Sequence, residues 1–165
     1  MSDSATAIKP GVSPARRAFL AALLACALTV AAPVPSFAAE PVAVVQALYD
    51  AHPRRQQPPG GLTAWTPAMR ELWKPELARP VRDARLAFDF MTASQDGRFA
   101  ALELKVVEGD ENGSKVRATF DNGWGAPVTL VFFLAREGDG WVMADVVNES
   151  AQGGWRLSDL LGAGQ

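Results

Sequence analysis

The stretch that decides the fold is residues 102–120, which read LELKVVEGDENGSKVRATF. Apolar and charged residues alternate over Leu102–Val106 and again over Val116–Phe120, on either side of Asn112-Gly113. Strict alternation predicts a strand with one buried face, because successive side chains of a strand point to opposite sides. An Asn-Gly pair favours a tight turn, since both residues tolerate positive φ. The stretch therefore predicts an antiparallel hairpin.

Two further strands are predicted towards the C-terminus. Val128–Ala135 is apolar on both faces, which is typical of a central strand. Gly138–Gly140 predicts a tight turn into a fourth strand, Trp141–Val147. Gly123 and Gly125 are expected to relieve crowding where the sheet bends. These signals together predict a four-stranded antiparallel meander.

Helical patterns precede the strands. Apolar residues at helical spacing predict a helix from Pro41 that ends near His52, because the following proline disfavours helical backbone. Thr66-Pro67 predicts an N-cap and first turn of a second helix, which we expect to end at Pro75. Helices gathered ahead of a meander are typical of the α+β class, with the helices packed on one face of a curved sheet.

The first 38 residues have the pattern of an export signal. Arg16-Arg17 precedes a short apolar run over residues 18–32, and residues 36–38 (Ser-Phe-Ala) form a small-residue cleavage site. The order Arg-Arg-Ala-Phe-Leu favours the twin-arginine route, with the general secretory route as the alternative. Lipidation at Cys26 is a second alternative, because Leu-Leu-Ala-Cys resembles a loose lipobox. The predicted domains are therefore a leader, 1–38, and one α+β domain, 39–165, located in the periplasm.

Removal of this leader changes what the chain can bind. It takes away three basic residues and one acidic residue, so the formal charge moves from −2 to −4. A mildly acidic domain lacks the basic surface that nucleic acids and anionic lipids require. The remaining chain has no cysteine and therefore no disulfide, and we expect it to have no transmembrane span.

Phe88-Asp89-Phe90 followed by Ser94-Gln95-Asp96 resembles the Asp-Pro-Phe … Gln-Asp-Trp pattern of a secreted bacterial family known as domain of unknown function 3828. The resemblance also covers segments 42–49, 116–120, 128–135, 140–146 and 155–161. It implies a nuclear-transport-factor-2-like (cystatin-like) fold, in which helices cover a strongly bent sheet around a cone-shaped cavity. That fold is home to isomerases, dehydratases and non-catalytic binding modules, so it does not specify a chemistry.

The polar residues of this pattern are the first site candidates. Asp89 or Asp96 could act as a general base at the cavity mouth, its pKa raised by neighbouring phenylalanines. The alternative is local hydrogen bonding, with Asp96 in a turn and Asp89 capping backbone amides. His52, the only histidine, could pair with Asp50 for acid–base work. Alternatively it ends a helix, where the helix dipole stabilises its charge.

Aromatic residues supply the other candidates. The five tryptophans could line a site for an apolar ligand or a glycan, or they could pack the core. The predicted ligand-binding residues are Tyr49, Trp73, Asp89, Gln95, Asp96 and Trp141. One histidine and a mature chain without cysteine offer no usual zinc site, and neither a calcium loop nor a nucleotide fingerprint occurs. We therefore expect no metal and no cofactor.

Three functions are compatible with these observations. The first is a non-catalytic periplasmic module that binds a small ligand or a protein. The second is a cofactor-free isomerase, dehydratase or hydrolase in which Asp89 or Asp96 is the base. The third is an inhibitor or immunity protein whose rigid loop, Asn122–Pro127, carries Trp124 into a target.

Overall fold

The computed structural model describes residues 40–52, 57–151 and 153–163, and the predicted export signal with its twin-arginine and lipidation motifs lies outside them. These residues form helices and one antiparallel sheet, which confirms the α+β class. The elements are α1 (Pro41–Ala51), α2 (Pro67–Leu77), β1 (Ala100–Gly109), β2 (Gly113–Asp121), β3 (Val128–Glu137), β4 (Gly140–Asn148), β5 (Trp155–Arg156) and α3 (Leu157–Gly162). Single 3₁₀ turns lie at Leu62–Ala64 and Val81–Asp83.

The sheet follows the order of the chain, β1-β2-β3-β4-β5, with every pair antiparallel. The four predicted strands are present, and β3 is the central strand as its two apolar faces predict. The fifth strand is short and was not predicted, because two residues are too few to show alternation. It pairs with the end of β4, where Val147 lies opposite Arg156.

The hairpin between β1 and β2 was predicted for the wrong physical reason. The hairpin between β1 and β2 forms, but neither Asn112 nor Gly113 has positive φ. Instead, the side chain of Asp110 accepts hydrogen bonds from both backbone amides, at 2.7 and 2.9 Å. These bonds lower the pKa of the Asp110 carboxyl below its usual value, because they favour the charged form.

The two glycines expected to relieve crowding at a bend lie in the glycine-rich Asn122–Pro127 loop, as the sequence predicted. Gly123 and Gly125 belong to the loop between β2 and β3, where both have positive φ. Register shifts occur within β1–β2 and between Phe133 and Leu134 in β3–β4. Such bulges bend a strand and increase its local twist, so we expect any curvature of the sheet at these positions.

The helix boundaries follow the predicted caps with one exception. α1 ends at Ala51 with His52 as its C-cap, and the Thr66 hydroxyl accepts the Met69 amide at the start of α2. The prediction that Pro75 ends α2 was wrong, because the helix continues to Leu77. A proline this close to a C-terminus removes only one intrahelical bond, and the buried faces of the helix hold the last turn in place.

The core lies between the helices and one face of the sheet. Fully buried aromatic side chains dominate it: Tyr49, Trp65, Trp73, Phe90, Phe120 and Phe132. Tyr49 of α1 contacts Phe120 and Phe132 edge-on, at 5.9 Å between ring centroids in each case. The segment before α2 is joined to β4 where the Thr66 amide donates to the Met143 carbonyl at 2.9 Å. These contacts hold α1 and the segment before α2 against the sheet.

Asp145, an acidic residue inside β4, has a structural role. Its carboxylate pairs with the guanidinium of Arg156 at 2.7 Å. It also accepts hydrogen bonds from the Ser158 amide and hydroxyl, at 3.1 and 2.7 Å. A carboxylate near the first turn of a helix satisfies amides that have no partner within the helix. Asp145 therefore fixes α3 to the sheet.

Candidate functional site

Asp89 lies in a closed turn between the helical layer and the sheet. Its backbone exchanges two hydrogen bonds with Ser94, at 2.8 and 3.2 Å. Within the turn, Oδ1 of Asp89 accepts the Met91 amide at 3.0 Å, as local capping predicts. Ala93 closes the turn at φ 48°, a left-handed conformation that costs a residue with a side chain about 1 kcal/mol. The paired backbone holds Asp89 in a defined position.

The second oxygen of Asp89 meets the only histidine of the chain. Nε2 of His52, at the end of α1, lies 2.5 Å from Oδ2 of Asp89. The His52 side chain is 7% exposed and that of Asp89 is 21% exposed, so both are shielded from water. Phe99 packs its ring edge-on against His52 at 5.6 Å. The structure thus brings together two polar side chains that are 37 residues apart.

The predicted acid–base pair of His52 with Asp50 is therefore wrong. Asp50 is exposed and accepts a hydrogen bond from Gln46 at 2.9 Å. Residues two apart on a helix point in different directions, so His52 turns to the Asp89 loop instead. No local sequence signal marks this partner, because its distance in the chain depends on how the helix packs.

Asp89 determines which ring nitrogen of a neutral His52 carries the proton. Its carboxylate accepts at Nε2, so a neutral His52 ring carries its proton there and Nδ1 becomes the acceptor. Both oxygens of Asp89 have donors, Nε2 of His52 and the Met91 amide. The carboxylate is thus arranged to orient a histidine, as carboxylates do in catalytic and metal sites alike.

A cleft of about 220 Å³ opens beside this pair. It lies between the end of α1, the turn at 57–60 and the segment 86–91. Its lining residues include Leu48, His52, Gln57, Phe88, Asp89 and Gln95. Apolar walls with a few converging polar groups are typical of small-ligand sites, although this volume is below their usual range of about 300–1,000 Å³. It suits a ligand of a few heavy atoms.

The other predicted site residues lie in several places. Gln95 lines this cleft and also the next one along the surface, which Asp96 lines with it. Tyr49 and Trp73 are buried in the core and line neither cleft. Trp141, near the start of β4, also lines neither cleft. The guanidinium of Arg136 lies over its ring, 5.0 Å from the ring centroid.

Tyr49 nevertheless contacts the loop that carries Asp89. Its hydroxyl donates to the Met91 carbonyl at 3.0 Å, in the loop that carries Asp89. Burial, and secondarily the nearby Asp89 charge, raise the pKa of Tyr49 well above its usual value. The phenol therefore stays protonated and keeps this bond over the physiological pH range.

No protein-family model, curated protein or solved structure matches this chain. The resemblance to domain of unknown function 3828 accordingly stays a prediction. Over the described residues, no three His, Cys, Asp or Glu side chains gather as metal ligands would. No helix in the described parts of the chain is both long and apolar enough to cross a membrane.

Proposed function

We propose that this chain is exported to the periplasm and that its domain binds a small polar ligand in the cleft beside His52 and Asp89, without catalysis. The proposal includes the twin-arginine leader and the nuclear-transport-factor-2-like cone of domain of unknown function 3828. The ligand-binding part of the proposal rests on one observation, the shielded contact of 2.5 Å between His52 and Asp89 in the wall of a cleft.

The geometry favours a binding site because its polar groups are already held in place. Asp89 is fixed by backbone pairing and by the Met91 amide, and His52 is fixed by Asp89 and Phe99. Groups that need no reordering lose little entropy when a ligand binds. Gln57 and Gln95 add amides that both donate and accept hydrogen bonds.

The lining residues also favour binding over nucleophilic catalysis. Among the described residues that line the cleft there is no serine, threonine, cysteine, lysine or tyrosine. A histidine oriented by a carboxylate has no adjacent side chain to activate there. The proposed role of His52 is therefore to hold a hydrogen-bonding group of the ligand.

The ligand-binding proposal is tested on the mature chain purified from periplasmic extract. Native mass spectrometry should show a co-purifying small molecule, and saturation-transfer NMR should detect small carboxylic acids, amides or alcohols from a fragment panel. Signals of cleft binders should disappear in His52→Gln and persist in the matched control Asp50→Asn. Fragments that bind His52→Gln as well as the wild type would refute the proposal, and so would a panel without binders and a clean native spectrum.

The export proposal has its own test. Expression of the full chain should yield a periplasmic product that begins after residue 38, identified by its mass. Replacing the arginine pair with lysines, Arg16→Lys with Arg17→Lys, should block export, because the twin-arginine pathway reads the pair itself. An intact chain recovered from the cytosol of wild-type cells would contradict the proposal.

A second candidate function, favoured by the same contact, is a cofactor-free isomerase, dehydratase or hydrolase. Asp89 or Asp96 was expected to be the base, but the Asp89 carboxylate already accepts from His52, so in this alternative His52 takes the proton and Asp89 orients it. A substrate turned over with a pH profile that depends on His52 would favour this candidate. Fragment binding without turnover of any bound compound would favour the binding module.

A further inference from the structure

The loop between β2 and β3 presents a large aromatic side chain to solvent. Trp124 in this loop is 67% exposed, whereas Trp65 and Trp73 are fully buried. Trp124 is the most exposed of the five tryptophans, since Trp141 and Trp155 are partly buried, and burial of a tryptophan stabilises a fold substantially. The exposed indole of Trp124 is therefore a candidate contact for a bound ligand or protein.

The backbone that carries Trp124 is held in place. The Asp121 carboxylate accepts the Gly123 amide at 2.7 Å, and the Asn122 side-chain oxygen accepts the Trp124 amide at 3.1 Å. Asn122 is itself buried and donates to the Thr92 carbonyl at 3.3 Å. Gly123 has φ 82°, which a residue with a side chain adopts only with strain. The loop is thus preorganised to present the indole.

Trp124 forms part of the wall of a cleft of about 630 Å³, which falls in the range of small-ligand sites. Two more aromatic side chains line it, Phe88 and Trp155, in edge contact at 5.5 Å between centroids. The polar lining residues are Ser94, Gln95, Asp96, Asn122, Asn148 and Ser150. Two of these lie on a stable frame, since Ser150 donates its amide to the Asn148 side chain and accepts the Thr129 amide at its hydroxyl.

We infer that this second cleft binds a neutral pyranose unit of an oligosaccharide, with Trp124 stacked against the sugar ring. One face of a pyranose presents C–H groups, which pack on the electron-rich face of an indole. Its hydroxyl groups lie around the ring edge and both donate and accept, as the amide and hydroxyl side chains of this lining do. The cleft provides both kinds of contact side by side.

Other ligand classes fit this lining less well. No lysine or arginine occurs among the described residues that line it, and Asp96 adds a carboxylate, so a phosphate or another anion has no counter-charge. An apolar ligand would cover the exposed side chains of Gln95 and Asp96 and remove them from water without replacing the hydrogen bonds that water gives them. A neutral polyol satisfies both constraints.

The inference does not depend on the proposed function: the two clefts share Phe88 and Gln95, but of the two, His52 and Asp89 line only the first, and Trp124 and Trp155 line only the second. The probes are three soluble tetrasaccharides, built from β-1,4-linked N-acetylglucosamine, β-1,4-linked glucose and α-1,4-linked glucose. Each is titrated into the mature chain to about 10 mM, which detects even a weak Kd of about 1 mM. Binding is followed by tryptophan fluorescence and by amide shifts in two-dimensional NMR.

At least one tetrasaccharide should bind, shifting the amides of the Asn122–Pro127 loop. Trp124→Ala should weaken its binding by about tenfold or more, as loss of an aromatic anchor does, and Trp124→Phe should retain part of the affinity. Leu77→Ala, an exposed apolar residue on α2, is the matched control and should bind like the wild type. His52→Gln should also bind normally, which separates this site from the first cleft.

Two outcomes would overturn the inference. One is the absence of binding by all three tetrasaccharides at the highest concentration, and the other is equal binding by Trp124→Ala and wild type. If a periplasmic protein is captured through Trp124 while no tetrasaccharide binds, the loop is a protein-binding element of an inhibitor and the saccharide assignment is wrong. Amide spectra of each variant are recorded to check that its fold is intact.

Discussion

A double-mutant cycle on His52 and Asp89 tests the contact from which the proposed site is built. The cycle compares His52→Ala, Asp89→Ala and the double variant in free energy of unfolding. Asp89→Ala removes two hydrogen bonds that the carboxylate accepts, one from Nε2 of His52 and one from the Met91 amide. Hydrogen bonds to charged groups contribute about 1.5–3 kcal/mol each, with the low end appropriate to the partial exposure of Asp89. We expect Asp89→Ala to cost about 3 kcal/mol.

The coupling energy isolates the His52–Asp89 contact from the rest. His52→Ala should cost about 2 kcal/mol, because it loses this bond and the edge contact with Phe99. Once His52 is gone, removal of Asp89 costs only its bond to Met91, so the double variant should be more stable than additivity predicts. A coupling energy of about 1–2 kcal/mol is expected for side chains in direct contact.

Urea unfolding at neutral pH, followed by tryptophan fluorescence, measures all four proteins. A parallel cycle with Asp50→Ala in place of Asp89→Ala is the matched control, since Asp50 is an exposed carboxylate on the same helix. That cycle should give a coupling energy within about 0.3–0.5 kcal/mol of zero. A coupling near zero for Asp89, or one larger for Asp50, would refute the pairing and with it the proposed site.

Three further predictions concern the frame around the site. Stability should decline as pH rises above 10.0, because the unfolded chain then loses a proton that Tyr49 keeps in the folded state, and Tyr49→Phe should remove this dependence in urea melts at several pH values. Asp145→Ala should lower the free energy of unfolding by about 3 kcal/mol, because it removes the hydrogen bonds that the carboxylate accepts from Arg156 and from the Ser158 amide. The control Asp139→Ala, at an exposed position, should change the free energy of unfolding by less than about 0.5 kcal/mol in the same melts. Thr66→Ala should cost about 1 kcal/mol through loss of the α2 N-cap, whereas Thr66→Ser should restore it in thermal unfolding.

The elements that the sequence predicted well are those with a local cause. β3 was identified as central because Val128–Ala135 is apolar on both faces, and only a strand covered on both faces can bury such a run. Thr66-Pro67 marked the start of α2 because a hydroxyl cap and a proline both act within one turn. Such signals need only a few neighbouring residues, so they survive in an isolated sequence.

The errors have a non-local cause. Pro75 reads as a helix end, yet buried contacts on Trp73 and Glu76 hold the last turn of α2 against the core. His52 was offered Asp50, two residues away, as a partner, yet it contacts Asp89, 37 residues further along the chain. In each case the energy of tertiary packing or of a side-chain bond exceeds the local preference that the sequence displays.

Alternation and turn residues act over short range, so the sequence alone predicts an α+β domain with a meander of antiparallel strands. It also gave Asp89 and Gln95 as candidate site residues and Trp124 as the candidate residue of a binding loop. Only the tertiary structure decided that Asp89 orients His52 and that Trp124 shares a cleft with Trp155. Those partnerships join residues more than 30 positions apart, so only the folded chain places His52 against Asp89 and Trp124 in the same cleft as Trp155.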